Sequence, residues 1–174
     1  FKNVSIASIV AVFVIIALSF KSLSIPVLLV AAIESAITIN MGIPYFSDTT
    51  LPFIASIVIG TIQLGATVDY AILMTTRFRE ERRAGRNAKE AAQISVERCS
   101  QSILTSGLTF FAATVGVSAI SRMELLQSIC LLISRGALIS MFVILLILPS
   151  LLILLDPIIK KTTIRWISKS NVKE

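Results

Sequence analysis

The sequence predicts an all-α membrane protein with five transmembrane helices and one short cytoplasmic amphipathic helix. Of the 174 residues, 55% are hydrophobic and 15% are charged, and the charged residues cluster between long apolar runs. This composition is typical of multi-span helical membrane proteins, because a soluble domain of this size needs a far more polar surface. Five runs are long enough to cross a bilayer at ~1.5 Å per residue: residues 4–20, 23–41, 52–76, 103–120 and 125–155.

The first two predicted spans are separated by the polar pair Lys21-Ser22. Pro26 lies in the first turn of the second span, where a missing N–H and a fixed φ are tolerated. The second span contains one acidic residue, Glu34, near its middle. We expect this span to end at the segment 40–44, which contains a glycine and a proline.

The third span contains a second acid, Asp69, and is followed by a polar segment over residues 77–101. Seven basic residues lie in that segment: Arg77, Arg79, Arg82, Arg83, Arg86, Lys89 and Arg98. From residue 88 onward the pattern becomes helical, with small residues on one face and polar residues on the other. The small face contains Ala88, Ala91, Ala92, Ser95 and Cys99. We predict a short helix that lies along the inner membrane surface or packs against the ends of the spans.

The fourth span is rich in small and hydroxyl-bearing residues. The fifth span is longer than one crossing requires, so we expect it to tilt or to protrude from the membrane. Pro149 should kink its far end. We expect Asp156-Pro157 to end this span and to leave a basic cytoplasmic tail over residues 157–174.

The distribution of Lys and Arg predicts the orientation. With the segment 77–101 in the cytoplasm, alternation of the spans places thirteen of the sixteen basic residues on that side. Only Lys2 and Arg122 fall on the other side, and Arg135 falls within or near the membrane. The positive-inside rule therefore places Phe1 outside and Glu174 inside. It also accounts for the net charge of +6, so no nucleic-acid partner is expected.

Several classes of site are not expected from the residue types. The chain has no histidine, and its two cysteines fall in a polar segment (Cys99) and in an apolar span (Cys130). Neither a zinc site nor a disulfide is therefore predicted. No nucleophile constellation or phosphate-binding loop is visible, so we predict neither an enzyme nor a cofactor. Because Phe1 is not an initiator methionine, we expect the chain to be part of a longer protein.

Asp69 is the leading candidate for a functional residue. It lies eight residues before Arg77, which places it ~12 Å inside the predicted inner boundary of the membrane. A charge at such depth costs at least ~2.5 kcal/mol, and desolvation favours the protonated carboxyl. This position suits proton or ion coupling. The alternative is a structural polar contact that fixes helix packing.

The neighbours of Asp69 are suited to helix contact. Thr61, Gly65 and Asp69 are spaced i, i+4 and i+8, so they line one helix face with a groove of small residues. Tyr70 is placed to offer its hydroxyl to a neighbouring helix. Ser106 and Thr109 of the fourth span are candidates for hydrogen bonds to Asp69 or to a water chain. The alternative for both hydroxyls is a bond to a backbone carbonyl of their own helix.

Two further charges lie inside predicted spans. We hypothesise that Glu34 pairs with Arg135 in the outer half of the bundle, together with Gln63. The alternative for Arg135 is that its side chain extends to the membrane interface. The alternative for Glu34 is a packing contact in its neutral form.

The motif G-x-x-x-D-Y, formed by Gly65 to Tyr70, resembles the RND superfamily of proton-driven transporters, specifically the MmpL-type exporters of lipids and hydrophobic compounds. Further motifs agree with that family in the same order along the chain. They are Arg77-Phe78-Arg79-Glu80-Glu81-Arg82-Arg83, Thr105-Ser106-Gly107-Leu108-Thr109 and Leu148-Pro149-Ser150-Leu151-Leu152.

The resemblance implies that the chain is the last five spans of one RND-type half. Such a half begins with one further span and a large extracytoplasmic domain, which precede these five spans. The resemblance also implies that Asp69 and Tyr70 form half of a proton relay, with Gly65 and the other polar residues in support. The implied partners are protons, membrane lipids, a second transmembrane half and the extracytoplasmic domain, in a bacterial cell membrane. Assembly as a homo-oligomer stays open. The alternative identities are a sterol-sensing-type lipid sensor without transport, or a SecDF-like auxiliary of protein translocation.

Overall fold

A computed structural model of the protein describes residues 2–20, 22–46 and 53–162, and every element in these ranges is helical. Six α-helices and one π-helical segment follow in order: α1 Lys2–Phe20, α2 Ser24–Phe46, α3 Phe53–Arg83, α4 Ala88–Ile120, α5 Glu124–Phe142, the π-helix Val143–Ile147 and α6 Leu148–Thr162. The predicted basic tail beyond residue 162 lies outside the described residues.

Four helical stretches are long and apolar enough to cross a membrane: Ser24–Pro44, Ile57–Arg83, Ala88–Ile120 and Glu124–Lys160. They correspond to the second to fifth predicted spans. The first predicted span contributes a shorter apolar helix, Ile6–Phe20, within the described residues. Large apolar side chains on the outer surface, such as Leu18 and Leu154, are each 73% exposed, as expected for surfaces in contact with lipid.

The predicted amphipathic helix is not a separate element. Its residues form the first part of α4, which runs for 33 residues without a break. The predicted small face is nevertheless confirmed, because Ala91, Ala92, Ser95 and Cys99 are all buried. Packing of this face within the bundle explains why the polar segment continues the helix.

The turn between α3 and α4 is short and has two local causes. Gly85 has φ = 88°, which glycine adopts without steric cost. Asn87 is the N-cap of α4, and its side-chain oxygen accepts a hydrogen bond of 2.9 Å from the backbone N–H of Glu90. The two helices are therefore antiparallel neighbours.

Two prolines lie inside helices that were expected to end beside them. Pro44 is inside α2, which continues to Phe46, and Pro157 is inside α6, which continues to Thr162. A proline removes one backbone hydrogen bond, a loss that packing can offset. In α6 that packing is visible, because Ile159 is 1% exposed and belongs to the main core.

The π-helix Val143–Ile147 ends two residues before Pro149. Pro149 cannot donate to the carbonyl of Leu145, four residues earlier, so the regular hydrogen-bond pattern is interrupted there. The long fifth span is therefore two α-helices joined through a wider turn. The irregularity observed near Pro149 is this change in hydrogen-bond register, and the kink expected there stays a prediction.

Helix α3 lies at the centre of the bundle and packs against all five other α-helices. Its buried side includes Val68, Ala71, Met74 and Phe78, which join the main core. The element that carries Asp69 is thus the one that every other helix touches.

Candidate functional site

Asp69 lies on an exposed stripe of α3 and does not point into the bundle. The stripe consists of Ile62, Gly65, Asp69, Leu73 and Thr76, all of them exposed. Their spacing of three or four residues aligns them along one helix face. The opposite face of α3 is the buried one, so the carboxylate faces away from the described core.

The α3 stripe has room for another helix. A Cβ atom added at Gly65 would meet no atom within 4 Å. Within the described ranges the Asp69 carboxylate has neither a hydrogen-bond partner nor an ion-pair partner, and the hydroxyl of Tyr70 likewise has none. Tyr70 is half-buried and packs against the main core beside the stripe. A charged carboxylate within an apolar span is costly unless it is paired or hydrated.

The predicted hydroxyl partners do not reach Asp69. Ser106 and Thr109 lie on the exposed face of α4. Thr109 donates its hydroxyl to the backbone oxygen of Thr105 at 2.7 Å, which is the alternative role considered for it. Gly107, between them, is buried, and a Cβ there would lie 2.9 Å from the sulfur of Met141 on α5.

A second polar cluster, the amide network, joins α2, α3 and α5 through Asn40, Gln63, Arg135 and Ser140. Asn40 donates from Nδ2 to Gln63 Oε1 at 2.9 Å. Gln63 donates from Nε2 to Ser140 Oγ at 3.0 Å. Arg135 donates from Nε to Asn40 Oδ1 and from Nη2 to the Asn40 backbone oxygen, each at 3.0 Å.

The hypothesised ion pair between Glu34 and Arg135 is not formed. Arg135 binds the amide and backbone oxygens of Asn40, and no ion pair of Glu34 occurs among the described residues. Glu34 lies six residues before Asn40 on α2, or ~9 Å along the helix, which explains why the guanidinium reaches one residue and not the other. Gln63 does not bind Arg135 directly, because Asn40 lies between them and bonds to both side chains.

The amide network depends on a glycine. A Cβ added at Gly136 would lie 2.5 Å from Gln63 Oε1 and 2.6 Å from Asn40 Nδ2. The Gln63 side chain also donates to the Gly136 backbone oxygen at 3.3 Å. Asn40 and Gln63 are 0% and 2% exposed. The close approach of α5 to these amides therefore requires the absence of a side chain at residue 136.

A third polar contact, the Arg82–Asp156 clasp, joins the end of α3 to α6. Arg82 binds the Asp156 carboxylate through two parallel bonds, Nε to Oδ1 at 3.0 Å and Nη2 to Oδ2 at 2.8 Å. Both side chains are buried. Arg82 also donates to the backbone oxygen of Arg86, and Lys160 lies 3.1 Å from Asp156 Oδ2. The sequence did not predict the clasp, because Arg82 was assigned to the basic segment that sets the orientation and Asp156 to a helix end.

Asp69 lies between these two polar contacts. Gln63 is six residues away on α3, or ~9 Å, and Arg82 is 13 residues away in the other direction, or ~20 Å. The helix that carries the carboxylate is thus tied to α2 and α5 on one side and to α6 on the other. Among the described residues no cluster of three potential metal ligands is present.

The chain was compared with known families, sequences and structures. The MMPL family model matches residues 2–172. A putative membrane protein of Streptomyces coelicolor is 32% identical over 155 residues, which cover 87% of this chain and 22% of that protein. The mycolic acid-containing lipids exporter MmpL11 of Mycolicibacterium smegmatis is 26% identical over 112 residues, which cover 63% of this chain and 12% of the exporter.

Among solved structures, the crystal structure of SecDF, a translocon-associated membrane protein from Thermus thermophilus, matches with a TM-score of 0.81 at 18% identity. The match covers 94% of this chain and 22% of SecDF. At this identity the match shows a shared fold. The chain spans about a fifth or less of the length of these three proteins.

Proposed function

The chain belongs to the MMPL family of the RND superfamily, and from this premise we propose that it is the membrane part of a transporter that exports lipids or other amphiphilic compounds at the expense of the proton-motive force. Asp69 and Tyr70 supply half of the proton relay. A second transmembrane half and an extracytoplasmic domain of the same protein supply the remainder.

The observation that carries this proposal is the unpaired Asp69 carboxylate on the exposed α3 stripe. An ionised carboxylate facing hydrocarbon costs several kcal/mol, so a bundle with this surface requires a polar or aqueous partner there. Gly65 leaves open space one turn away, which suits the close approach of a second helix. A second transmembrane half that packs on the stripe would cover Asp69 and bring its own polar groups to it.

Protonation of Asp69 removes its charge, and deprotonation restores the charge. The two forms favour different packing on the stripe, since the neutral form tolerates a dry helix contact and the charged form requires water or a cation. Movement of α3 is transmitted to α2 and α5 through the amide network and to α6 through the clasp. In this scheme proton entry from outside and release to the cytoplasm shift the helices that support the extracytoplasmic domain.

The proposal is tested with the complete protein in proteoliposomes that carry a pH gradient, with lipid export and proton flux measured together. Asp69→Asn should lower both to background, because the amide keeps the shape and cannot exchange a proton. Tyr70→Phe should lower both to a lesser extent. Glu97→Gln is the matched control, since it makes the same chemical change at an exposed residue of α4. Export by Asp69→Asn with continued consumption of the gradient would exclude the relay.

A SecDF-like role in protein translocation is the second candidate, favoured by the fold match to SecDF. It shares the requirement for Asp69 and differs in cargo. Depletion of the complete protein in its own host separates the two, because loss of a surface lipid supports export and retention of secreted proteins supports translocation. A sterol-sensing-type sensor would show no gradient-dependent flux in the proteoliposome assay.

A further inference from the structure

Helices α4 and α5 line an open apolar pocket of about 380 Å³ that includes one charged side chain. Its walls include Phe111 and Val115 of α4 and Leu131 and Leu138 of α5, and Arg135 lies at its edge. Its volume falls near the lower end of the range for small-molecule sites, ~300–1,000 Å³. The pocket shares Arg135 with the amide network, and its lining does not include Asp69.

Arg135 has spare capacity to bind an anion. Its Nε and Nη2 atoms donate to Asn40, which offers only neutral oxygen atoms. Within the part of the chain that the structure describes, Arg135 makes no ion pair, and its Nη1 atom has no acceptor. Charged side chains within membranes are expensive unless they are paired. The guanidinium therefore keeps an open donor, Nη1, and a positive charge that only neutral oxygen atoms contact.

The depth of Arg135 points to a ligand from the outer leaflet. The neighbouring Gly136 accepts a hydrogen bond from Gln63, which places Arg135 level with Gln63. Gln63 lies 14 residues before Arg77, or ~21 Å above the predicted inner boundary of a hydrocarbon layer ~30 Å thick. Arg135 therefore lies in the outer third of the membrane, below the outer head groups.

We propose that this pocket binds a long-chain carboxylate, a fatty acid from the outer leaflet, with its carboxylate on Arg135 and its chain against Phe111, Val115, Leu131 and Leu138. A guanidinium and a carboxylate form short, charge-assisted hydrogen bonds. A single chain fits the pocket volume, and a compact carboxylate can lie below the head-group level. A phospholipid would have to draw its phosphate, its glycerol and a second chain to the same depth. The bound acid completes the charge balance of Arg135 and so stabilises the contact between α2 and α5.

The test uses the complete protein, delipidated in a neutral detergent, with palmitate as the probe and native mass spectrometry as the measure of binding. Methyl palmitate tests the need for charge, and phosphatidylglycerol tests a head-group source. Arg135→Gln removes the cation, Val115→Trp fills the pocket and leaves Arg135 in place, and Arg122→Gln is the matched control at an exposed arginine.

Palmitate should bind the wild type and Arg122→Gln equally, and Arg135→Gln should weaken binding about 10- to 100-fold. Val115→Trp should abolish binding, and methyl palmitate should bind the wild type as weakly as palmitate binds Arg135→Gln. Equal binding of the ester, tighter binding of phosphatidylglycerol, or no binding to the wild type would each overturn the proposal. The last result would mean that another part of the protein fills the pocket. Asp69→Asn should retain palmitate binding, so failure of the proton relay leaves this inference intact.

Discussion

Replacement of Gly136 by alanine would place a methyl group inside the amide network. The added Cβ would lie 2.5 Å from Gln63 Oε1, 2.6 Å from Asn40 Nδ2 and 2.9 Å from Gln63 Cδ. Side chains do not tolerate such distances, and both amides are almost completely buried, so they cannot move into solvent. Either the amides shift and lose hydrogen bonds, or α5 moves away from α2 and α3.

The magnitude follows from the bonds at risk. The bonds from Asn40 to Gln63 and from Gln63 to Ser140 both depend on the present position of the Gln63 side chain. A buried polar group left unsatisfied costs about 1–3 kcal/mol, so two such losses cost about 2–5 kcal/mol after partial relaxation. Alanine recovers about 1 kcal/mol through its higher helix propensity. The expected net loss in the free energy of unfolding is about 1–4 kcal/mol.

The assay is reversible unfolding of the complete protein in detergent, followed as the denaturation midpoint. Gly116→Ala is the matched control, because a Cβ at that helical glycine would meet nothing within 4 Å. It should unfold at the wild-type midpoint or slightly above. Gln63→Ala removes two of the three atoms that clash and leaves Asn40 Nδ2, so the loss from Gly136→Ala should be smaller, but not abolished, in the Gln63→Ala background.

The reasoning would be refuted by a Gly136→Ala protein as stable as Gly116→Ala. It would also be refuted by strict additivity with Gln63→Ala. Either result would mean that α5 does not approach the two amides as closely as the structure shows.

Two further predictions concern α3. Asp156→Asn alone should destabilise the protein by about 3–5 kcal/mol, because it leaves the buried Arg82 guanidinium without its carboxylate. Arg82→Gln should cost less, because Lys160 still lies 3.1 Å from Asp156 Oδ2. Arg82→Met combined with Asp156→Leu should be nearly neutral in the same unfolding assay, and an Asp156→Asn variant as stable as the double variant would contradict a buried clasp. Gly65→Val should leave the free energy of unfolding within about 1 kcal/mol of the wild type, because open space surrounds Gly65 in this bundle. It should sharply lower proton flux in proteoliposomes, because the added side chain blocks the approach of the second helix. Normal flux in Gly65→Val would argue against helix contact at the stripe.

The helices themselves were predictable because apolar runs in a membrane protein must be helical to satisfy their backbone. The residues at which the helices end were harder to predict. Pro44 and Pro157 were expected to end helices, and both are inside helices, since packing of later residues such as Ile159 offsets the lost hydrogen bond. The resemblance read from Gly65 to Tyr70 is confirmed by the MMPL family match.

The polar contacts show more clearly what could not be predicted from the sequence. Each polar residue in an apolar span can be identified from the sequence individually, and Gln63 and Arg135 were identified in this way and predicted to act together. Their actual partner, Asn40, was taken as part of a helix end, and Glu34 was preferred as the opposite charge. Charge complementarity indicates which residues could pair, and only helix register decides which of them come within ~3 Å.

The sequence by itself determined that this chain is a helical membrane domain and that Asp69 lies inside one of its apolar spans, because hydrophobic length and motif spacing are local properties of the chain. The tertiary structure decided which way that carboxylate faces and what holds its helix. Packing turns Val68, Ala71 and Met74 inward on α3, and the rotation of the helix that this requires turns Asp69 outward. The same packing brings Asn40 and Asp156 to arginines 95 and 74 residues away in the chain, distances over which no sequence pattern specifies a contact.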